Sequence, residues 1–214
     1  MHLKSDENLR SLFLSALRSR YVDSRAEIHV SDLVYCLREA YFRKIEPVDP
    51  TLKQLGFFVD GARRHKVLQE ILGVECEVEV KRYGVVGHID VMLDAPVEIK
   101  TTRARSALPD HYFRQLGFYA VMMNARHGYL VIQRLNAAED PWEFYRVEWT
   151  EEEIKEIDRE LKRRADQLRA ALNFHDPSML PEIEEDMRWK CRSCLYRERC
   201  KGRIQHERPK EAER

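Results

Sequence analysis

Between Cys76 and Lys100 the chain alternates with a period of two through three short runs. Cys76, Val78 and Val80 alternate with Glu75, Glu77, Glu79 and Lys81, which predicts a strand with one buried face. Gly84 and Gly87 punctuate a second run, in which Ile89, Val91 and Leu93 point one way and His88, Asp90 and Met92 the other. After the turn residues Asp94-Ala95-Pro96, Glu98 and Lys100 share one face of a third strand. Three strands this close together must form the middle of a sheet, and the rest of the chain has to cover it.

The covering elements are legible from helical spacing. Leu9, Leu12, Phe13, Ala16 and Leu17 predict an opening amphipathic helix. A second helix is predicted from Ser31 as N-cap, carrying Leu33, Val34, Leu37, Ala40 and Tyr41. A longer one follows Pro50, through Leu52, Leu55, Val59, Ala62 and Leu68 to Gly73. Beyond the strands, Tyr112 to Met123 reads as helix, and Tyr129 to Gln133 and Phe144 to Trp149 as further strands. Thr150 with Glu153 is a capping box opening a long helix with a seam of Ile154, Ile157, Leu161, Ala165, Leu168 and Leu172. The expected class is α/β: a mixed central sheet flanked by helices. We divide the chain into a helical region 1–50, a core 51–175 and a cysteine-bearing segment 176–214.

The block of strands also carries the chemistry. Asp90 precedes Glu98 by eight residues, with Lys100 two further on. On neighbouring strands, alternation brings the two carboxylates side by side with the lysine on the same face. Two clustered carboxylates repel unless a cation lies between them, and Mg²⁺ or Mn²⁺ favours such oxygen donors. A metal of this kind stabilises charge on a scissile phosphate, and a neighbouring lysine can serve the attacking water. His65 in the preceding helix offers an imidazole, and Gln115 and Tyr119 lie i, i+4 on one face of the next helix.

With His65, Asp90, Glu98-Ile99-Lys100 and Gln115 to Tyr119 in this order, the chain resembles the PD-(D/E)xK nucleases, in particular their RecB-like branch. The resemblance implies that His65, Asp90, Glu98 and the Ile99 carbonyl ligate a divalent metal. Lys100 then serves the nucleophilic water, and Gln115 and Tyr119 position the site or the DNA. A histidine ligand favours Mn²⁺ over Mg²⁺ in activity.

Cys191, Cys194 and Cys200 form a C-x2-C-x5-C group near the C-terminus, and Cys36 lies far upstream. Three thiolates need a fourth ligand: zinc could take His206 or a distant cysteine, and an iron–sulfur cluster commonly takes a fourth cysteine. Spacing alone leaves the two open. One cysteine before the nuclease motifs and three after them resembles the iron–sulfur RecB nucleases, among them the CRISPR-associated exonucleases. The resemblance implies a [4Fe–4S] cluster on Cys36, Cys191, Cys194 and Cys200, the same ligands also suiting [2Fe–2S], that joins the two helical ends of the chain. It further implies a metal-dependent exonuclease acting on single-stranded DNA ends and overhangs, in the 5′ to 3′ sense, during CRISPR spacer acquisition, with a spacer integrase as partner. A RecB-type repair nuclease and a non-catalytic iron–sulfur adaptor that binds DNA are the alternatives. Cys76 faces the apolar side of its strand and is expected to be a spectator.

The 214 residues carry 37 basic and 37 acidic side chains. A net charge of zero excludes a chain that coats nucleic acid by bulk charge and leaves only a local basic face. From Arg188 to Arg203 there are seven basic residues against one acidic, with Trp189 and Tyr196 among them, a composition suited to unpaired strands. Arg63, Arg64, Lys66, Arg103, Arg105 and Arg114 flank the motifs and extend the phosphate track. With no apolar run near 18 residues and no apolar leader in MHLKSDENLR, a cytoplasmic protein without membrane contact is expected.

Overall fold

The computed structural model describes residues 6–21, 26–103, 107–137 and 139–200, without the side chains of residues 20, 21, 65, 69 and 72. Helices and strands follow in the order α1 (Glu7–Tyr21), β1 (Ile28–His29), α2 (Val30–Val34), α3 (Leu37–Ile45), α4 (Leu52–Leu72), β2 (Cys76–Arg82), β3 (Val85–Met92), β4 (Pro96–Thr102), α5 (Asp110–Met122), β5 (His127–Arg134), β6 (Trp142–Glu148) and α6 (Glu151–Phe174), then two 3-10 helices, Pro177–Met179 and Glu185–Arg192. No helix among the described residues is long and apolar enough to cross a membrane.

The sheet is mixed, in the order β1-β3-β4-β5-β6 with β2 also paired to β3. Strand β3 is its hub. Along one edge it pairs antiparallel with β2 from Val85 to Val91. Its other edge is shared: β1 lies parallel at Val85 and Val86, while β4 lies antiparallel at Val91 and Met92. The stretch from Gly87 to Asp90 therefore sits between two strands that meet the same edge at opposite ends. From β4 the chain crosses through α5 to the parallel strand β5, and returns antiparallel as β6.

Both sheet faces are covered, which is why β3 is buried on both sides. Helices α2, α3, α5 and α6 share the largest apolar cluster, with Val80, Val85 and Ile89 beneath them. On β5, Leu130 and Ile132 pack against Leu116 of α5. Val91, Val97 and Ile99 form a separate cluster against Leu68 of α4. Glu98 and Lys100 pair in register with Leu130 and Ile132, so they face α5, and Ile99 faces α4.

The expected second helix is two helices. His29, not Ser31, caps α2, its backbone N–H donating to Asp32 Oδ2 at 2.9 Å. The chain then breaks at Tyr35-Cys36, and Cys36 is the extended N-cap of α3. Arginines explain the break. Arg164 Nε donates to the Leu33 carbonyl at 2.5 Å and its guanidinium also reaches the Tyr35 carbonyl, while Arg114 donates to the Val34 carbonyl at 3.1 Å. Carbonyls capped in this way have no need of the following turn. The α6 capping box is formed as expected, Glu153 N–H donating to Thr150 Oγ1 at 3.2 Å and Thr150 N–H to Glu153 Oε2 at 2.8 Å. The opening helix α1 forms, but Leu9, Leu12 and Phe13 stay exposed on it.

Candidate active site

The β3–β4 ladder has two pairs, Val91 with Val97 and Met92 with Pro96. One step further along that register, Asp90 stands against Glu98. There the Ile99 N–H donates to Asp90 Oδ2 at 2.8 Å, a side chain taking the place of a strand partner. The strands part at this point, and a carboxylate fills the wedge.

Glu98 is almost wholly buried, at 1% exposure, and its Oε1 lies 2.5 Å from Lys100 Nζ. Lys100 Nζ donates to Gln115 Oε1 at 2.8 Å, and Gln115 Nε2 donates to the Tyr119 hydroxyl at 3.2 Å. Burial acts against the Lys100 charge, but Glu98, Tyr35 and Asp90 outweigh it, and its pKa is raised. The ammonium is thus a fixed cation. Burial also lifts the Tyr119 pKa well above the ordinary range, with Glu98 adding to it, so the phenol keeps its proton. Gly87 makes room for that ring: a Cβ there would lie 2.8 Å from Tyr119 Cε1.

Asp90, the Ile99 N–H, Glu98, Lys100, Gln115 and Tyr119 thus lie in one run of contacts. Two carboxylates beside a backbone carbonyl are hard oxygen donors, and their chemistry fits Mg²⁺ or Mn²⁺. His65 belongs to α4, three residues before Leu68, and its side chain lies outside the described residues.

Four side chains, Tyr112, His111, Tyr35 and Lys190, extend outward from Lys100 in contacts that the sequence motifs do not contain. Tyr112 lies with its ring centroid 5.6 Å from Lys100 Nζ. Its neighbour His111 is buried, 4.7 Å from Tyr112 and 4.9 Å from Tyr35, centroid to centroid. Burial, with Lys100, Lys190 and Arg114 nearby, pushes the His111 pKa down to about 4. Lys190 Nζ in turn sits 3.6 Å from the Tyr35 ring centroid. Only the position of Tyr35 beside Cys36, and of Lys190 beside Cys191, hinted at these contacts.

The four cysteines of the motif line one small void of about 80 Å³, together with Glu39, Phe42, Ile183, Lys190, Tyr196 and Arg197. All four thiols are free. Among the described residues, no three His, Cys, Asp or Glu side chains are gathered tightly enough to hold an ion. Burial raises the thiol pKa of Cys36, and that of Cys194 to about 11. Soft sulfur donors are the type an iron–sulfur group takes, and such a group would have to draw these thiols together and displace their protons. Cys76 packs beside Val91, Val97 and Ile99, away from this group. His206, the other zinc ligand considered, lies outside the described residues, as do Arg105 and Arg203.

Two members of the expected basic and aromatic surface have other roles. Tyr196 is 3% exposed, stacks on Phe42 at 6.0 Å and accepts the Val48 N–H at 3.2 Å. It is core because its ring fills the space between α3 and the cysteine segment. Arg114 is bound by Glu160 at 3.1 Å and Glu184 at 2.7 Å, which neutralise it. Trp189 remains exposed, at 53%.

Residues 13–201 match the model of the PD-(D/E)XK nuclease superfamily. The chain belongs to that superfamily. Nucleases of this superfamily use divalent metals such as Mg²⁺ or Mn²⁺. Among solved structures, the fold is similar to the crystal structure of SSO0001, with a TM-score of 0.62 and 21% identity over 96% of this chain and 98% of that one. It is also similar to an alkaline exonuclease, LHK-Exo, from Laribacter hongkongensis, with a TM-score of 0.50 and 14% identity over 75% of this chain and 95% of that one. No curated protein matches the sequence.

Proposed function

We propose that this PD-(D/E)XK chain is a metal-dependent DNA exonuclease acting on single-stranded ends and overhangs, in the 5′ to 3′ sense. The observation that carries the reading is the wedge at Asp90, where one carboxylate takes the Ile99 N–H beside the buried Glu98–Lys100 pair. A retired site would have no reason to keep a buried carboxylate, a buried ammonium and an amide in register. Asp90, Glu98, the Ile99 carbonyl and His65 would hold Mn²⁺ or Mg²⁺, which supplies Lewis-acid stabilisation of the phosphate and a readily deprotonated water. Lys100 orients the attacking water and offsets charge growing on the phosphate oxygens. Gln115 accepts from Lys100 and so fixes the ammonium, and Tyr119 fixes the amide in turn.

The four thiols around one void support an iron–sulfur cluster, [4Fe–4S] or [2Fe–2S], with a structural role. The motif order and the exonuclease among the structural neighbours support end-directed cutting of DNA. The single cysteine upstream of the motifs, with three downstream, supports a place in CRISPR spacer acquisition beside a spacer integrase, in the cytoplasm.

The test is cleavage of 5′- and 3′-labelled single-stranded DNA with Mn²⁺, Mg²⁺ or EDTA. Metal-dependent shortening that disappears in Asp90→Ala is the expected result, and the end label reads the polarity. An Asp90→Ala protein that degraded DNA at the wild-type rate would sink the site assignment.

A further inference from the structure

An exposed indole stands at the outer end of a row of rings that leads to the catalytic lysine. Trp189, on the 3-10 helix Glu185–Arg192, is 53% exposed. Its ring centroid is 6.4 Å from that of His111, with the planes 42° apart. His111 meets Tyr112 edge-on at 4.7 Å, and the Tyr112 centroid is 5.6 Å from Lys100 Nζ. The row is held from behind by Tyr35, 4.9 Å from His111, and by Lys190 over the Tyr35 face.

From this row we infer that Trp189 is a stacking step for one unpaired base of the strand that enters the site. The inference rests on the nuclease reading and adds a structural reason for a single-stranded substrate. The inner half of the indole packs toward His111, and its exposed half offers any base a π-face. A base inside a duplex has both faces covered by its neighbours, so it reaches such a ring only after unpairing.

The surroundings suit that task. His111 is buried and uncharged at neutral pH, so it backs the indole as a flat, neutral ring. Lys190, next to Trp189 in the chain, is held over the Tyr35 ring and 3.5 Å from Glu39, and Lys100 at the inner end of the row is the cation that a phosphate of the entering strand would meet. Tyr196, the other aromatic of this segment, is core, which leaves the stacking to Trp189. Phe144 and Phe174 are more exposed, at 72% and 73%, but among the described residues no chain of ring contacts ties either to Lys100.

The experiment measures binding of labelled single-stranded oligonucleotides to an Asp90→Ala protein and to the same protein carrying Trp189→Ala or Trp189→Phe. The strands are intact, or carry one abasic unit moved nucleotide by nucleotide from the end. Trp189→Ala is expected to weaken binding of the intact strand about 5- to 150-fold, the range for one base stacked on an aromatic ring. Trp189→Phe should keep most of it. One abasic position should cost the Trp189 protein a similar factor and cost the Trp189→Ala protein nothing further. Blunt duplex should bind equally to both.

Equal binding of the intact strand by Trp189 and Trp189→Ala proteins overturns the inference, as does additive loss at every abasic position. If Trp189→Ala fails to fold, Trp189→Phe with the abasic scan decides alone: no position-specific loss overturns it. The reading beneath fails separately, through cleavage that Asp90→Ala leaves unchanged.

Discussion

His111 shows how much a single side chain owes to its surroundings. In the unfolded chain a histidine takes its proton near pH 6.5, but in the fold burial and the cations Lys100, Lys190 and Arg114 push that value down to about 4, with Asp186 opposing them. Between those values the unfolded chain binds a proton that the folded one refuses. Stability is therefore full above about pH 6.5 and falls as the pH drops toward 4, by about 3 kcal/mol for this group. The difference in unfolding free energy between wild type and His111→Phe, followed by urea denaturation across this range, should change by that amount. A constant difference would contradict the buried, neutral imidazole. Nothing in the sequence marks His111, because Lys190 and Tyr35 reach it from the two ends of the chain. Glu98, Lys100, Gln115 and Tyr119 were legible, since spacings of two and four fix a shared face locally.

Strand β3 is the element on which the site depends. Its edge is left to no strand between β1 and β4, and that gap accepts the Asp90 carboxylate, while the Tyr119 ring lies over the sheet face at Gly87. Gly87 has ordinary backbone geometry but no room for a side chain, with Tyr119 at 2.8 Å and Val30 and Val80 each at 3.1 Å from a built Cβ. Gly87→Ala should destabilise the fold by about 1–3 kcal/mol through overpacking. Because the ring that must yield holds Gln115, cleavage should fall as well. Thermal unfolding and the cleavage rate check both, and an alanine variant as stable and as active as wild type would show that Tyr119 is free to move. The three strands and the long helices were readable from their periods. The two-residue strand β1 was not, being too short to have one. The break at Cys36 was also hidden, since Leu33, Val34 and Leu37 continue a helical spacing and the arginines that cap their carbonyls come from α5 and α6.

At the scale of the whole molecule, the segment around Cys36 and the segment from Leu180 to Cys200 meet beside the nuclease core. Arg164, buried in α6, binds the Leu33 and Tyr35 carbonyls and also Glu184 at 3.0 Å. Arg38 donates to the Leu180 carbonyl at 2.8 Å, and Tyr196 seats against Phe42. These ties hold Cys36 and the later cysteines around one void. A cluster on those thiols would be part of the folding free energy. Cys36→Ser should lose the visible absorbance near 400 nm expected of thiolate-bound iron and unfold at lower temperature; a full iron load in that variant would remove Cys36 from the ligand set. The meeting of these two segments follows from cysteine spacing only by resemblance, whereas the arginine ties that position it needed the structure.

The most direct measurement on the active site is the Mn²⁺-dependent cleavage rate of Glu98→Gln, a change that keeps the shape of the buried side chain and removes its charge. Loss of a carboxylate metal ligand should lower the rate on the order of a hundredfold or more, in a protein that still folds and still binds single-stranded DNA. Wild-type cleavage by a folded Glu98→Gln protein would mean that the wedge between β3 and β4 is not where phosphodiester bonds are cut.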